Sequence, residues 1–207
     1  MKLPRIYPIT DIRLSGLSHA EQVKALSQGG ASLIQLREKH ESAREFFEQA
    51  KAAFNVAARR GAQLIINDRV DLALAVGAYG VHLGQDDMPP DAARKLLGPN
   101  PVIGYSTHNI EQAIAARKFP IDYLAIGPIF ATTTKSNTAP VVGLEGLRAV
   151  REAIGGFPLV AIGGITSENA RDVIAAGADS VAVISALLSK SIRISDATRS
   201  LLQDLQD

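Results

Sequence analysis

The chain has 207 residues, 46% of them hydrophobic and 21% charged, with a formal net charge of +1 and no cysteine. That length suits one domain over 1–207 with a sizeable core, and a near-neutral charge without a long basic run leaves no electrostatic footprint for nucleic acid or an anionic membrane. Disulfides, thiolate ligands and cysteine nucleophiles are excluded, no apolar run reaches bilayer length, and "MKLPRIYPITD" is too short and too interrupted for a signal peptide, so a cytoplasmic protein is expected.

Short apolar runs alternate with helical patterns from end to end. Strands are predicted near Ile6–Thr10, Leu33–Leu36, Gln63–Ile66, Gly80–Leu83, Val102–Tyr105, Tyr123–Ile126, Leu159–Ile162 and Ser180–Ile184. Several are purely apolar rather than alternating, as strands covered on both faces should be. The plainest helix is Ala43–Arg59, where Phe46, Phe47, Ala50 and Phe54 share one face. The segments "GGASLIQL", "RGAQLIIN", "VGAYGVHL" and "AGADSVAV" each put Gly-Ala before a strand. Gly30, Gly61, Gly77 and Gly177 therefore read as helix stops, and helix, glycine, strand is the rhythm of βα units. Eight such strands in 207 residues fit a compact (β/α)₈ TIM barrel. The alternative, an open doubly wound sheet, is weakened because no G-x-G-x-x-G follows the first strand.

In a barrel the chemistry gathers at the C-terminal strand ends. After the second strand, "QLREK" puts Gln35, Arg37 and Lys39 at alternate positions, so an extended run points all three the same way. They face the mouth, or they form a solvated strand end with Glu38 as counter-charge. Asn67 and Asp68 follow the third strand, and Asp86 and Asp87 the fourth. Neighbouring strands lie about 4.8 Å apart, so such carboxylates can share one cation; taken singly, Asp68 or Asp87 reads first as a cap of the helix that follows. "GYSTH" ends the fifth strand, and "GPIFATTTKS" collects hydroxyls and a lysine after the sixth. After the seventh, "IGGIT" offers Gly163 and Gly164, which let backbone N–H groups approach a ligand. Ile184 and Ser185 follow the eighth, where barrels recurrently bind phosphate.

Of the histidines, His19 and His40 are expected at the surface and His82 as a satisfied interior residue. His108 either reaches the mouth or serves at a helix entry. No histidine cluster has metal spacing, and no clear general base or buried Schiff-base lysine stands out. The mouth thus reads as two anion sites. One is basic with carboxylates beside it, suited to a metal-bound diphosphate; the other uses backbone N–H groups and hydroxyls, suited to a monophosphate. Departure of a diphosphate, with capture of the cation by a second molecule, needs leaving-group charge stabilised rather than acid–base help.

In order and spacing, "YPITD", "QLREK", "IND", "VHLGQDD", "GYSTH", "GPIFATTTK", "AIGGIT" and "AVIS" resemble the thiamine-phosphate synthase family, from Tyr7 to Ser185. The resemblance implies a (β/α)₈ barrel and a transferase. It would condense hydroxymethylpyrimidine diphosphate with hydroxyethylthiazole phosphate, or its carboxylated form, releasing pyrophosphate with Mg²⁺. Carried over by position, Gln35, Arg37, Lys39, Asn67 and Lys135 would hold the pyrimidine diphosphate, and Asp68 and Asp87 would bind Mg²⁺, leaving Asp86 a bystander. Ser106 would sit beside the reacting pyrimidine, and Thr132, Thr134, Gly164, Ile184 and Ser185 would hold the thiazole phosphate. Arg37, Lys135 and Ser106 would be the catalytic set. The partners implied are small phosphorylated substrates, and a homodimer stays open. Ala131 stands where the family often has proline, and Ser136–Val142 replaces a more charged stretch; the long segment Ala131–Val142 reads as a lid carrying Lys135. The resemblance extends to thiazole tautomerases, but those carry histidine where this chain has Pro128. A sugar-phosphate isomerase would need a base, and a non-catalytic phosphate-binding barrel would not need both aspartates.

Overall fold

The strands close on themselves in sequence order, every neighbouring pair parallel, with β8 returning to β1. The computed structural model describes residues 1–132, 139–189 and 193–206. Along the chain run β1 (Ile6–Thr10), α1 (Ile12–Ser15), α2 (His19–Gln28), β2 (Leu33–Leu36), α3 (Ala43–Arg60) and β3 (Gln63–Asn67). Then come α4 (Val70–Val76), β4 (Gly80–Leu83), α5 (Pro90–Leu97), β5 (Val102–Thr107), α6 (Ile110–Ala116) and β6 (Tyr123–Ile126). The last third holds α7 (Gly143–Ile154), β7 (Leu159–Ile162), α8 (Ala170–Ala175), β8 (Ser180–Val183), α9 (Ser185–Leu188) and α10 (Ile194–Asp204). This is the expected (β/α)₈ barrel.

The local causes are visible. β1, β2, β4, β6 and β8 are buried at every position, because side chains fill the barrel on one face and helices cover the other. At the start of α3, Ser42 Oγ accepts from Glu45 N at 3.3 Å while Glu45 Oε2 accepts from Ser42 N at 3.0 Å, and Ser18 with Glu21 repeats this reciprocal cap on α2. Phe46, Ala50, Ala53 and Ala57 form the buried stripe of α3, with Phe47 and Phe54 partly buried beside it. Gly30, Gly61, Gly77 and Gly177 all have positive φ (104°, 69°, 66° and 114°), as their place between helix and strand implies.

Small differences in strand length have a reason in pairing. β5 runs on to Thr107 because Ser106 and Thr107 still face Ala125 and Ile126 of β6, and β3 reaches Asn67 through its pairing with His82. β8 ends one residue early, since Ile184 already stands at the start of α9.

At the bottom of the barrel one arrangement occurs twice. Arg94 of α5 binds Asp122 at 2.8 Å, and the same Asp122 oxygen accepts from Ile103 N at 2.8 Å. Arg151 of α7 binds Asp179 at 2.7 Å, whose same oxygen accepts from Leu159 N at 2.8 Å. Each arginine also donates to carbonyls at the end of its own helix, tying helix, loop and strand together.

His19 departs from the surface expectation. It opens α2 fully buried, with Nδ1 2.7 Å from Thr10 Oγ1 and its ring 5.7 Å from that of Phe46. Packing of α2 against β1 and α3 overrides the polar sequence around it. Burial lowers its pKa from 6.5 to about 4 despite the nearby carboxylates of Glu38 and Asp11. Between those two values the unfolded chain binds a proton that the folded chain refuses. The stability is therefore complete above pH 6.5 and is lost as the pH falls towards about 4. Urea titrations across that window should show this slope, and His19→Gln should flatten it; an unchanged slope would refute the assignment to His19.

Candidate active site

The C-terminal strand ends surround a cavity of about 300 Å³ lined by Gln35, Arg37, Lys39, Asn67, Asp68, Asp87 and Ser106, among others. The alternate spacing in "QLREK" thus brings its three polar side chains to one mouth, as expected. Arg37 pairs with Asp11 at 3.4 Å, and Lys39 with Asp68. Glu38 is not their counter-charge. It turns away and accepts from the backbone N–H groups of Lys39, His40 and Glu41, so it shapes the loop after β2 instead. Asp11, just after β1, does double duty: one oxygen accepts from Leu14 N to cap α1, the other faces Arg37. Arg37 Nε is buried without a hydrogen-bond partner among the described residues. A guanidinium N–H in that state is a donor waiting for an acceptor.

The helix-cap reading of the aspartates does not hold. α4 begins after Arg69 and α5 after Pro89, neither with a side-chain cap. Asp68 sits on the turn out of β3 with φ of 62°, a left-handed conformation that Asp tolerates better than most residues. Asp87 Oδ2 accepts from Gly84 N at 2.7 Å. Asp68 and Asp87 line the same cavity. Burial, with Asp68 beside it, pushes the Asp87 carboxyl above its ordinary value, against the Gly84 N–H and the Lys39 ammonium. Asp86 is exposed.

This donor set fits Mg²⁺. Magnesium takes hard oxygen ligands, typically one or two carboxylates completed by water and substrate phosphate. Among the described residues no group of three or more His, Cys, Asp or Glu is placed for a metal, so a cage made wholly of protein is absent there. A crowded carboxylate pair with its charge partly met by Lys39 is the arrangement a cation would relieve.

A second cavity lies towards β6, β7 and β8. Its lining includes Pro128, Thr132, Gly163, Gly164, Ile184 and Ser185. Gly164 has φ of 65°, and a Cβ there would lie 2.7 Å from both Ala131 O and Phe130 Cβ, so the loop after β6 packs directly on it. The two cavities share Ser106, His108, Ile162 and Ala182 in their linings. His108 answers both expectations: its N–H donates to Gln112 Oε1 near the start of α6, and its ring borders both cavities with Nδ1 2.7 Å from Gly127 O. Thr134 and Lys135 lie outside the described residues, as does the middle of the segment read as a lid.

Residues 6–187 match the family model described as thiamine monophosphate synthase. The chain belongs to that family. A thiamine-phosphate synthase of Chloroflexus aurantiacus is 51% identical over 186 residues, covering 89% of this chain and 85% of that protein. One from Koribacter versatilis is 52% identical over 195 residues, covering 91% and 90%. The solved thiamine phosphate pyrophosphorylase of Pyrococcus furiosus superposes with a TM-score of 0.88 at 40% identity, covering 98% of this chain and 95% of that one. The chain is accordingly an enzyme, a transferase of thiamine biosynthesis.

Two side chains beneath the site carry no sequence signal of their own. Tyr7 and Tyr123 look like ordinary strand residues, yet both reach into the barrel beneath the mouth, where their hydroxyls meet at 2.9 Å. Gly104 was the available signal: a Cβ there would lie 2.0 Å from the Tyr123 ring, so this strand glycine exists to admit a large side chain from its register partner.

Proposed function

We propose that this chain makes thiamine phosphate by joining hydroxymethylpyrimidine diphosphate to hydroxyethylthiazole phosphate, with the diphosphate in the charged mouth and the thiazole phosphate in the glycine-lined cavity. The observation that carries this reading is the shared wall. An Arg–Lys–carboxylate cavity and a backbone-lined cavity meet at Ser106, so molecules held in each would face one another there.

The C–O bond between the pyrimidine methylene and the diphosphate breaks, its electron pair leaving with the diphosphate. The thiazole nitrogen lone pair then forms the new C–N bond to that methylene. No proton is lost in the balance, which agrees with the lack of an evident general base. Arg37, Lys39 and Lys135 take up charge on the departing oxygens, Asn67 and Gln35 hold the substrate, and Ser106 contacts the pyrimidine. Asp68 and Asp87 would hold Mg²⁺, which when bound would neutralise diphosphate charge and make it a better leaving group. Thr132, Thr134, Gly164, Ile184 and Ser185 hold the thiazole phosphate.

Purified protein with both precursors and Mg²⁺ should release pyrophosphate and form thiamine phosphate only when both precursors are present. Absence of product with folded protein would overturn the reading. A finer check addresses the second cavity. Gly164→Val introduces a branched side chain where the loop leaves no room, and should raise the KM for the thiazole phosphate by about tenfold, the worth of roughly one hydrogen bond to a charged group. The KM for the pyrimidine should move less; the reverse pattern would mean the two pockets are exchanged.

A further inference from the structure

A row of hydrogen bonds crosses the barrel beneath the mouth. Gln35 Nε2 donates to Tyr7 OH at 3.0 Å, Tyr7 OH lies 2.9 Å from Tyr123 OH, and Tyr123 OH lies 2.9 Å from His82 Nδ1. His82 Nε2 ends the row 2.8 Å from Ser106 Oγ. The rings pack as well: Tyr7 meets Tyr123 edge-on at 5.9 Å, and His82 stacks on Tyr123 at 5.5 Å. Both ends of the row, Gln35 and Ser106, line the mouth cavity.

The Gln35 amide, with Nε2 towards Tyr7, gives the row a direction. Tyr7 and Tyr123 are almost wholly buried, so each hydroxyl hydrogen needs a partner inside the barrel. Burial raises both phenol pKa values, so both hydroxyls keep their protons. Tyr7 accepts from the Gln35 amide, and its own hydrogen then goes to Tyr123. Tyr123 in turn donates to His82 Nδ1, which leaves the hydrogen of neutral His82 on Nε2, donating to Ser106 Oγ. The Ser106 hydroxyl hydrogen is thereby turned outwards, while Gln35 keeps its carbonyl Oε1 for the cavity. With the Gln35 amide donating to Tyr7, the opposite order would strand the Tyr7 hydroxyl hydrogen, at a cost comparable to a lost hydrogen bond.

We propose that this row polarises the floor of the mouth, presenting an acceptor at Gln35 and a donor at Ser106, and that Tyr7, Tyr123 and His82 are positioning residues which select an amino group beside a ring nitrogen. The identity of the ligand rests on the function proposed above. An aminopyrimidine offers that pair, a donor N–H next to an acceptor nitrogen. An oxo analogue reverses both and would set acceptor against acceptor at Gln35 and donor against donor at Ser106, the kind of mismatch that a hydrogen-bonding site rejects most strongly.

Nitrogen-15 NMR of histidine-labelled enzyme tests the direction without any substrate. With the His82 signal assigned by its absence from His82→Asn, Nε2–H neutral imidazole is expected; Nδ1–H would overturn the proposal. Kinetics test the consequence. Tyr123→Phe keeps the ring and removes the hydroxyl, and should lower kcat/KM for the pyrimidine diphosphate about tenfold, the effect of one misdirected hydrogen bond. The KM for the thiazole phosphate should hold, and preference for the amino over the oxo pyrimidine should narrow. Combined with Ser106→Ala, the added loss should shrink to about twofold or less, because both changes act through one hydroxyl. Losses that multiply in full would show that the row does not work through Ser106. Tyr7→Phe breaks the same row and serves if Tyr123→Phe does not fold. Nε2–H tautomer with a kinetically silent Ser106→Ala would sink the substrate assignment, whereas Nδ1–H with a crippled Ser106→Ala would sink the row alone.

Discussion

Asp87→Asn should lower turnover by about a hundredfold, the scale of roughly 3 kcal/mol for one transition-state charge contact, while Asp86→Asn, at an exposed position on the rim of the same cavity, should change it by about twofold or less. The asparagine keeps an oxygen that can accept from Gly84 N, so the turn after β4 survives and the fold is not the cause. What is lost is one negative charge beside Asp68. With a single carboxylate left, a hard cation would be held less firmly, and the requirement for Mg²⁺ should shift to higher concentration. Asp86 borders the same cavity but is exposed on the loop, whereas Asp87 is half-buried and held by Gly84 N. Initial rates measured against Mg²⁺ concentration separate the two outcomes. Equal, mild effects at both positions in folded protein would remove Asp87 from the proposed metal site.

Arg37→Lys should also cost about a hundredfold in turnover, though it keeps the charge. Arg37 holds its guanidinium at the mouth with 14% of the side chain exposed, one terminal nitrogen 3.4 Å from Asp11 and Nε unpartnered among the described residues. A planar fork can give a departing diphosphate two parallel hydrogen bonds while staying anchored to Asp11; an ammonium can face only one side as a point charge. Charge develops on the diphosphate as the bond breaks, so the loss should fall mainly on kcat and less on the KM for the pyrimidine. The KM for the thiazole phosphate should stay put. If lysine restores near-normal turnover, Arg37 contributes charge alone and the geometric argument fails.

Much of this molecule was legible along the chain. The strand positions followed from short apolar runs that glycine ends on one side, because a strand covered on both faces admits little else. The grouping of Gln35, Arg37 and Lys39 followed from alternation, since a period of two sends every second side chain the same way. The pattern and order of the motifs were enough to indicate the family, and the comparisons agree. Local pattern was silent where packing between distant elements takes over. His19 sits in a polar run, yet α2 presses it against β1 and α3. Glu38 stands between Arg37 and Lys39 in sequence, yet it serves the backbone after β2, while Asp11 and Asp68, just after β1 and β3, supply the counter-charges. Tyr7 and Tyr123 are 116 residues apart and meet at 2.9 Å. Residue type and spacing determine which side chains point into a barrel; closure and register between strands decide which of them touch, and hence which way a row of buried protons must run.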